Sequence, residues 1–471
     1  MVKRGSISVF QRFEALPIII VFMLLLALFM LRAPEVFLRP FIYTTFLSTL
    51  PPLVLLATGL TFVIGAGEID LCFPAIIAFS GFVFAVLFKE YDLGWFAVVA
   101  GLASGVLVGF VNGLLIAKVG IPSFMTTLGA QFFWAGVATW ISGGKSYALR
   151  TAEETAVWQW IVGRPFASLS NVDWLQQVSI QALWTALIVG FLWLVLTRHR
   201  FGEHTLFIGD SNDVSRVVGV DVDREKIKIF TLMGFLAACA AIMLTLENKN
   251  YFGNQGQGYL LTAIASVLIG GTSIFGGRAT IIGTVFGCFI IGMIEAGLVA
   301  AGLTGALVRT VQGIIFLIAI IFYMYTDDIV EALRSALIHN YANFHGRARR
   351  SEYWFFSLSV GIVMCFADLI DDALWGKPIL ASIVYLATII PHFSVGARRL
   401  HDTDRSGWWQ LIAVVPIIGL IVLPDLSGWW QLIAVVPLIG AIVLVVLFLL
   451  AGSAGENRYG EPPQGQRPAV L

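Results

Sequence analysis

A chain of 471 residues with 58% hydrophobic and 12% charged side chains carries roughly half the ~25% charge of an ordinary soluble domain, too little to clothe two or three water-facing folds. Its formal net charge of zero removes the electrostatic case for nucleic acid. The mean hydropathy of +0.87 and the recurring apolar runs instead point to a polytopic, all-α membrane protein. The runs are continuous rather than alternating, so they read as helices crossing ~30 Å of hydrocarbon and not as barrel strands.

At the amino terminus Lys3, Arg4 and Arg12 precede an apolar run at 15–31. The run ends in Leu31-Arg32-Ala33-Pro34 without a small-x-small cleavage site, so it reads as a signal-anchor that starts in the cytoplasm. Further runs fall at 43–66, 71–88, 93–117, 121–142, 177–197, 229–246, 259–276, 280–302 and 306–325, which makes ten expected spans. With this parity the loop at about 198–228 is inside and carries Arg198, Arg200, Arg216, Arg224, Lys226 and Lys228. The long outside loop at about 143–176 carries only Lys145, Arg150 and Arg164, in agreement with the positive-inside rule.

Gly101, Gly105, Gly109 and Gly113 stand four apart and line one face of the fourth span. Such a face lets helix backbones approach closely; a glycine-lined substrate path is the alternative. Two segments read as interrupted helices at related places in the two halves, Gly59 to Asp70 and Val267 to Gly277. Freed backbone groups at membrane depth are tolerated only inside protein or beside a cavity, and paired interruptions point to a transport pathway.

A carboxylate in a span usually faces a cavity or a partner. Glu295, mid-way along the ninth span near Gly292 and Gly297, is therefore expected on the pathway or bonded to a neighbouring helix. The pathway candidates are Asn112, Glu295, Gln312, Gly270 and Gly271, with interhelical bonding the alternative for Asn112, Gln131 and Gln312. Glu68 and Asp70 lie at an expected inside edge, where capping or loop pairing explains them equally well.

Chemistry of other kinds is not legible. Gly143-Gly144-Lys145-Ser146 resembles the end of a phosphate loop, but Thr139 stands where its first glycine belongs and no strand precedes it. The six histidines are dispersed, and Cys72, Cys239, Cys288 and Cys365 lie singly in or beside apolar runs. Neither a metal site, a cofactor site nor a catalytic constellation is expected, so nothing in these residues reads as an enzyme.

Near Asp327, Asp328 and Glu331 the character changes. We expect a domain over 1–330, a cytoplasmic basic linker over 331–350 and a second membrane domain over 351–471. Apolar runs resume at 353–374, 378–395, 408–423 and 429–451, and SGWWQLIAVVP occurs twice, at Ser406 to Pro416 and at Ser427 to Pro437. The identity implies a recent tandem duplication, whose extra copy is either a further crossing or tolerated excess.

Four stretches carry a family likeness: Gly59 to Leu71, Asn112 to Leu128, Arg200 to Lys228 and Ile264 to Gly283. Over roughly 40–325 the chain resembles the permease subunits of ribose-type ABC importers for simple sugars. The resemblance implies a bacterial inner-membrane location, a dimeric pathway (homodimer or pseudo-dimer), a cytoplasmic ABC ATPase that supplies ATP hydrolysis and a periplasmic sugar-binding protein. It places ATPase coupling in the 200–228 loop, which we assign to Gly209, Asn212, Val217 and Gly219. The family commonly has glycine at Glu68, serine at Cys72, an acidic residue near Leu260 or Leu261, and asparagine around Glu295 and Ala296. These departures bear on which sugar is carried. The rival readings are an ion-coupled secondary transporter using Glu295 and a membrane scaffold or regulator acting through the tail.

From about 338 the tail resembles the YhaH-like small inner-membrane proteins of unknown function. The likeness rests on Asn343 to Trp354, Arg398-Arg399-Leu400-His401-Asp402, Ser406 to Trp409 and Gly455 to Gly460. Arg347, Arg350, Arg398 and Arg399 are expected either to bind membrane-lipid headgroups, the simpler reading, or to pair with acidic residues. That family usually has three spans after its first basic cluster; a fourth here returns the carboxyl terminus to the cytoplasm, whereas three leave it outside.

Overall fold

The computed structural model describes residues 15–165, 174–300, 302, 305–413, 443–453 and 455–463. The chain divides into two compact units, Met1–Tyr323 and Met324–Leu471. Each of the ten apolar segments expected in the first unit is helical, although the one at 43–66 is not a single rod and the one at 259–276 breaks within the interruption expected there.

The segment at 43–66 is two helices, α2 (Pro40–Thr49) and α3 (Pro51–Gly65), bent by 53° at their junction. Pro51 and Pro52 lack the amide protons that a continuous helix needs. α1 (Leu16–Arg32) precedes them, and α4 (Phe73–Lys89), α5 (Gly94–Leu114) and α6 (Ser123–Ser142) follow. After α7 (Ile180–Arg198) come two polar helices, α8 (Arg200–Asp210) and α9 (Asn212–Val217), and then the long α10 (Val222–Glu247). The segment at 259–276 is helical only as α11 (Tyr259–Ile269), because the Gly270-Gly271 pair ends it with Gly271 at φ +91°. α12 (Ile281–Ala300) and α13 (Gly305–Met324) complete the unit. Among the described residues of both units, six helices are long and apolar enough to cross a bilayer, or seven if the bent pair is one span.

α10 is the axis of the first unit, with 78% of its apolar window buried. The glycine stripe of α5 lies against it. A Cβ at Gly105 would stand 2.5 Å from the Gly234 carbonyl oxygen, and one at Gly109 would stand 2.3 Å from that of Phe230. The stripe therefore packs helix on helix rather than lining a path. The short strands β1 (Tyr147–Ala148) and β2 (Asn250–Tyr251) pair antiparallel.

The second unit holds α14 (Thr326–Arg334), α15 (Arg350–Leu374), α16 (Ile379–Asp402) and a helical stretch at 443–449. The Asp371 carboxylate near the end of α15 accepts from the amides of Leu380 and Ala381, both at 2.8 Å, and so caps the start of α16. The stretch at 331–350, expected as a linker, is built into this unit. Ala336 and Ala348 are buried in one apolar cluster with Tyr353, Phe356, Val395, Leu400, Leu444 and Phe448. Most of the duplicated region, residues 414–442, lies outside the described residues.

Candidate functional site

Both glycine-rich interruptions are real breaks, and side chains and neighbouring backbone take up the backbone groups they free. Beyond α3 the chain turns at Gly67 (φ +73°) and runs without helix to α4. Ser123, Thr127 and Gln131 lie four residues apart on one face of α6; the first two serve this run and the third the first turn of α4. Ser123 Oγ accepts from the Ile69 amide at 3.1 Å, Thr127 Oγ1 donates to the Ile69 carbonyl at 3.3 Å, and Gln131 Oε1 accepts from the Ala75 amide at 2.9 Å. Asp70 is buried and accepts from the Cys72 amide at 2.6 Å. Gln131 thus bonds between helices, as its neutral polar character allows.

The second interruption folds on itself, with the Ser273 amide donating to the Arg278 carbonyl at 2.9 Å and the Thr280 amide to Thr272 Oγ1 at 3.4 Å. Gly270 is a packing position: a Cβ there would stand 2.5 Å from the Thr284 amide nitrogen of α12. Gly271 is exposed in a left-handed conformation. Thr61 of α3 and Thr284 of α12 share a buried hydroxyl contact of 2.8 Å.

The polar loop after α7 is strongly capped. His199 Nδ1, Ser211 Oγ and Asp221 Oδ1 accept from the amides of Phe201, Val214 and Arg224, at 3.1, 3.3 and 3.1 Å. Asn212, Val217 and Gly219 are exposed; Val217 is 87% and Val218 72% exposed, so α9 presents an apolar face beside a left-handed Gly219 turn (φ +93°). Arg216 and Lys118 both reach Asp223, at 3.3 and 3.1 Å.

Gly209, the fourth of the coupling candidates, does something else. The Gly277 amide donates to the Gly65 carbonyl at 3.0 Å. A Cβ at Gly209 would stand 2.0 Å from that oxygen and 2.4 Å from that nitrogen. The end of α8 therefore touches both interruptions at once, backbone on backbone. Beside this junction Lys226 Nζ, in the first turns of α10, meets Glu68 Oε1 at 2.5 Å, with side-chain exposures of only 14% and 11%. Sequence reasoning missed this assembly, although an inside-edge Glu68 and a basic inside loop were both in view.

Of the pathway candidates, the structure brings Glu295 and Gln312 together. Glu295 is exposed on α12, and Gln312 Nε2 of α13 donates to its Oε2 at 3.4 Å. Asn112 is fully buried; apart from the weakly accepting Cys72 sulfur alongside, its amide meets no hydrogen-bond partner among the described residues.

In the second unit three of the four candidate arginines, Arg347, Arg398 and Arg399, pair with acids. Arg347 Nε donates to Asp402 Oδ1 at 2.9 Å and Arg399 Nη1 to Asp402 Oδ2 at 2.5 Å, all three side chains being 1% exposed or less. The excess positive charge is spread over carbonyl oxygens, those of Gly455, Gly460 and Ser453 for Arg347 and of Phe448 and Leu450 for Arg399. Arg398 pairs with Glu352 at 3.0 Å. Arg350 alone is exposed, and it donates to the Leu449 carbonyl at 3.4 Å. The tail signatures therefore close on one another: Asn457 Nδ2 donates to the His401 carbonyl at 2.9 Å, and the Tyr459 ring stacks on His401 at 3.8 Å.

Comparison with known proteins gives these features a setting. Residues 42–320 match the family described as branched-chain amino acid transport system / permease component. Residues 341–424 and 424–461 match a family described as a protein of unknown function, DUF805. The ribose import permease protein of Escherichia coli (strain K12) is 30% identical over 57% of this chain and 80% of its own length. The L-arabinose transport system permease protein of the same organism is 32% identical over 58% and 79%. The fructose import permease protein of Rhizobium meliloti is 29% identical over 65% and 84%. No solved structure matches the chain. The chain is thus a multi-pass membrane protein that belongs to the family of branched-chain amino acid transport system permease components and carries a DUF805 domain after its permease unit.

Proposed function

We propose that this chain is the membrane-spanning subunit of an ATP-driven importer for a monosaccharide or related polyol. It forms the translocation pathway as one of two permease copies in a bacterial inner membrane. A separate cytoplasmic ATPase drives it, a periplasmic binding protein delivers the sugar, and the chain itself binds no cofactor. The observation that carries this reading is the capped polar loop with the exposed Val214, Val217 and Val218, a docking face whose base rests on both interrupted segments. Its relatives' names, ribose, arabinose and fructose permeases, set the substrate class.

The test is uptake of labelled sugar into proteoliposomes holding the chain, its ATPase and its binding protein. Accumulation that requires ATP supports the importer; accumulation that follows a proton gradient without ATP overturns it in favour of an ion-coupled transporter. Within the pathway, Glu295 and Gln312 supply an acceptor and a donor suited to sugar hydroxyls. Glu295→Gln keeps the size and removes the charge, and should raise the half-saturation concentration for uptake by roughly tenfold, the loss of one charge-assisted hydrogen bond. Unchanged uptake kinetics in this variant would remove Glu295 from the pathway.

A further inference from the structure

We infer that Glu68 and Lys226 are positioning residues for energy coupling: their ion pair, together with the Gly65–Gly209–Gly277 junction, ties both roots of the α8–α9 loop to the first interrupted segment. The inference rests on the importer reading above.

The loop has two roots, the end of α8 at Asp210 and the start of α10 at Val222. At the first root Gly209 sits against the Gly65 carbonyl and the Gly277 amide with no space for a Cβ, and the Gly209 carbonyl lies 2.6 Å from where a Cβ of Gly276 would stand. Contacts between backbones carry displacement without rotamer slack, since no side-chain torsion lies between the moving parts. At the second root Lys226 reaches Glu68 across the gap to α3, and both side chains are largely out of water. A pair so enclosed is screened little by salt, and separating it leaves an uncompensated charge.

Glu68 is three residues beyond Gly65 and immediately precedes Ile69, the residue held by Ser123 and Thr127. A displacement of the loop thus reaches α3, the extended run and α6 through one chain of contacts, and through Gly277 it reaches the second interruption. Neither half of this device touches a substrate. It sets the position of elements that do, so its loss uncouples rather than blocks.

The experiment compares the full chain reconstituted with its ATPase and binding protein, in wild-type form and as Glu68→Gln, Lys226→Met and the exchanged pair Glu68→Lys/Lys226→Glu. Sugar transported and ATP hydrolysed are measured on the same vesicles. Glu68→Gln and Lys226→Met should keep hydrolysis within about twofold and lower the sugar moved per ATP by about tenfold, a coupling loss of ordinary size. The exchanged pair should recover at least half of the ratio. A hydrogen-exchange measurement on the wild-type complex guards against variants that fail to assemble: protection of residues 65–72 should change when ATP is trapped. An unchanged ratio in Glu68→Gln, or protection of 65–72 indifferent to ATP, overturns the inference while a transporting wild type leaves the importer reading intact. A wild-type chain that moves no sugar with ATP fails both.

Discussion

At the scale of single residues, the glycines separate into those that space permits to change and those that it does not. A Cβ at Gly109 would stand only 2.3 Å from the Phe230 carbonyl oxygen of α10, too close to fit, whereas one at Gly136 of α6 would meet nothing within 4 Å. Gly109→Ala should therefore wedge α5 from α10 and cost about 1–3 kcal/mol, seen as a lower thermal midpoint of the detergent-solubilised chain. Gly136→Ala should leave the midpoint unchanged or raise it slightly, since it only lowers backbone freedom; equal losses in the two variants would contradict the packing assigned to the stripe. The stripe was legible in the sequence because a four-residue spacing fixes a helix face. Glu68 was not, because its partner lies 158 positions away at Lys226, and no periodicity encodes a contact of that range. Asn112 was named for its polarity, and its burial without a strong partner is something that only packing discloses.

Among the elements, breaks were easier to read than the groups that heal them. Gly270-Gly271 and Gly65-Ala66-Gly67 announce interruptions by composition alone, and the Pro51-Pro52 bend follows from missing amide protons. The service of the extended run by Ser123 and Thr127, and of the start of α4 by Gln131, depends on where α6 docks, which sequence leaves open. The tail shows the same division. Its arginines and acids are visible as motifs, yet lipid contact was the simpler reading until the end of α16 was seen to gather them. Asp402 holds two buried arginines there. Asp402→Asn removes the one carboxylate between them and should destabilise the second unit by about 3–5 kcal/mol, the cost of a buried charge left without its partner. Limited proteolysis should then cut first within 453–460, whose carbonyls lose their anchored donors, while cleavage within the first unit keeps its wild-type rate. A wild-type digestion pattern would show that the carbonyl oxygens suffice to hold both arginines.

For the whole molecule, the open question from sequence was the side on which the chain ends, since three tail spans and four give opposite answers. The described contacts bear on it without counting spans. Arg347 precedes α15 and Asp402 ends α16; Arg347 binds Asp402 and the carbonyls of Ser453 and Gly455, and the Ser453 amide donates to the Asp402 carbonyl at 2.8 Å. The chain at 453–460 therefore stands at the same end of the α15–α16 pair as residue 347, whatever path joins 402 to 453. Reporters inserted after Ala342 and appended after Leu471 should read the same side of the membrane. The DUF805 match breaks and restarts at residue 424, just before the second SGWWQLIAVVP copy, which is what an added tandem copy produces. Deleting 406–426 removes one copy and joins Arg405 directly to the second. If the cluster around Asp402 sets the topology, the two reporters still agree in this shortened chain. If hydrophobic length sets it and each copy is a crossing, the terminal reporter changes side, and the ion-pair cluster must come apart with it.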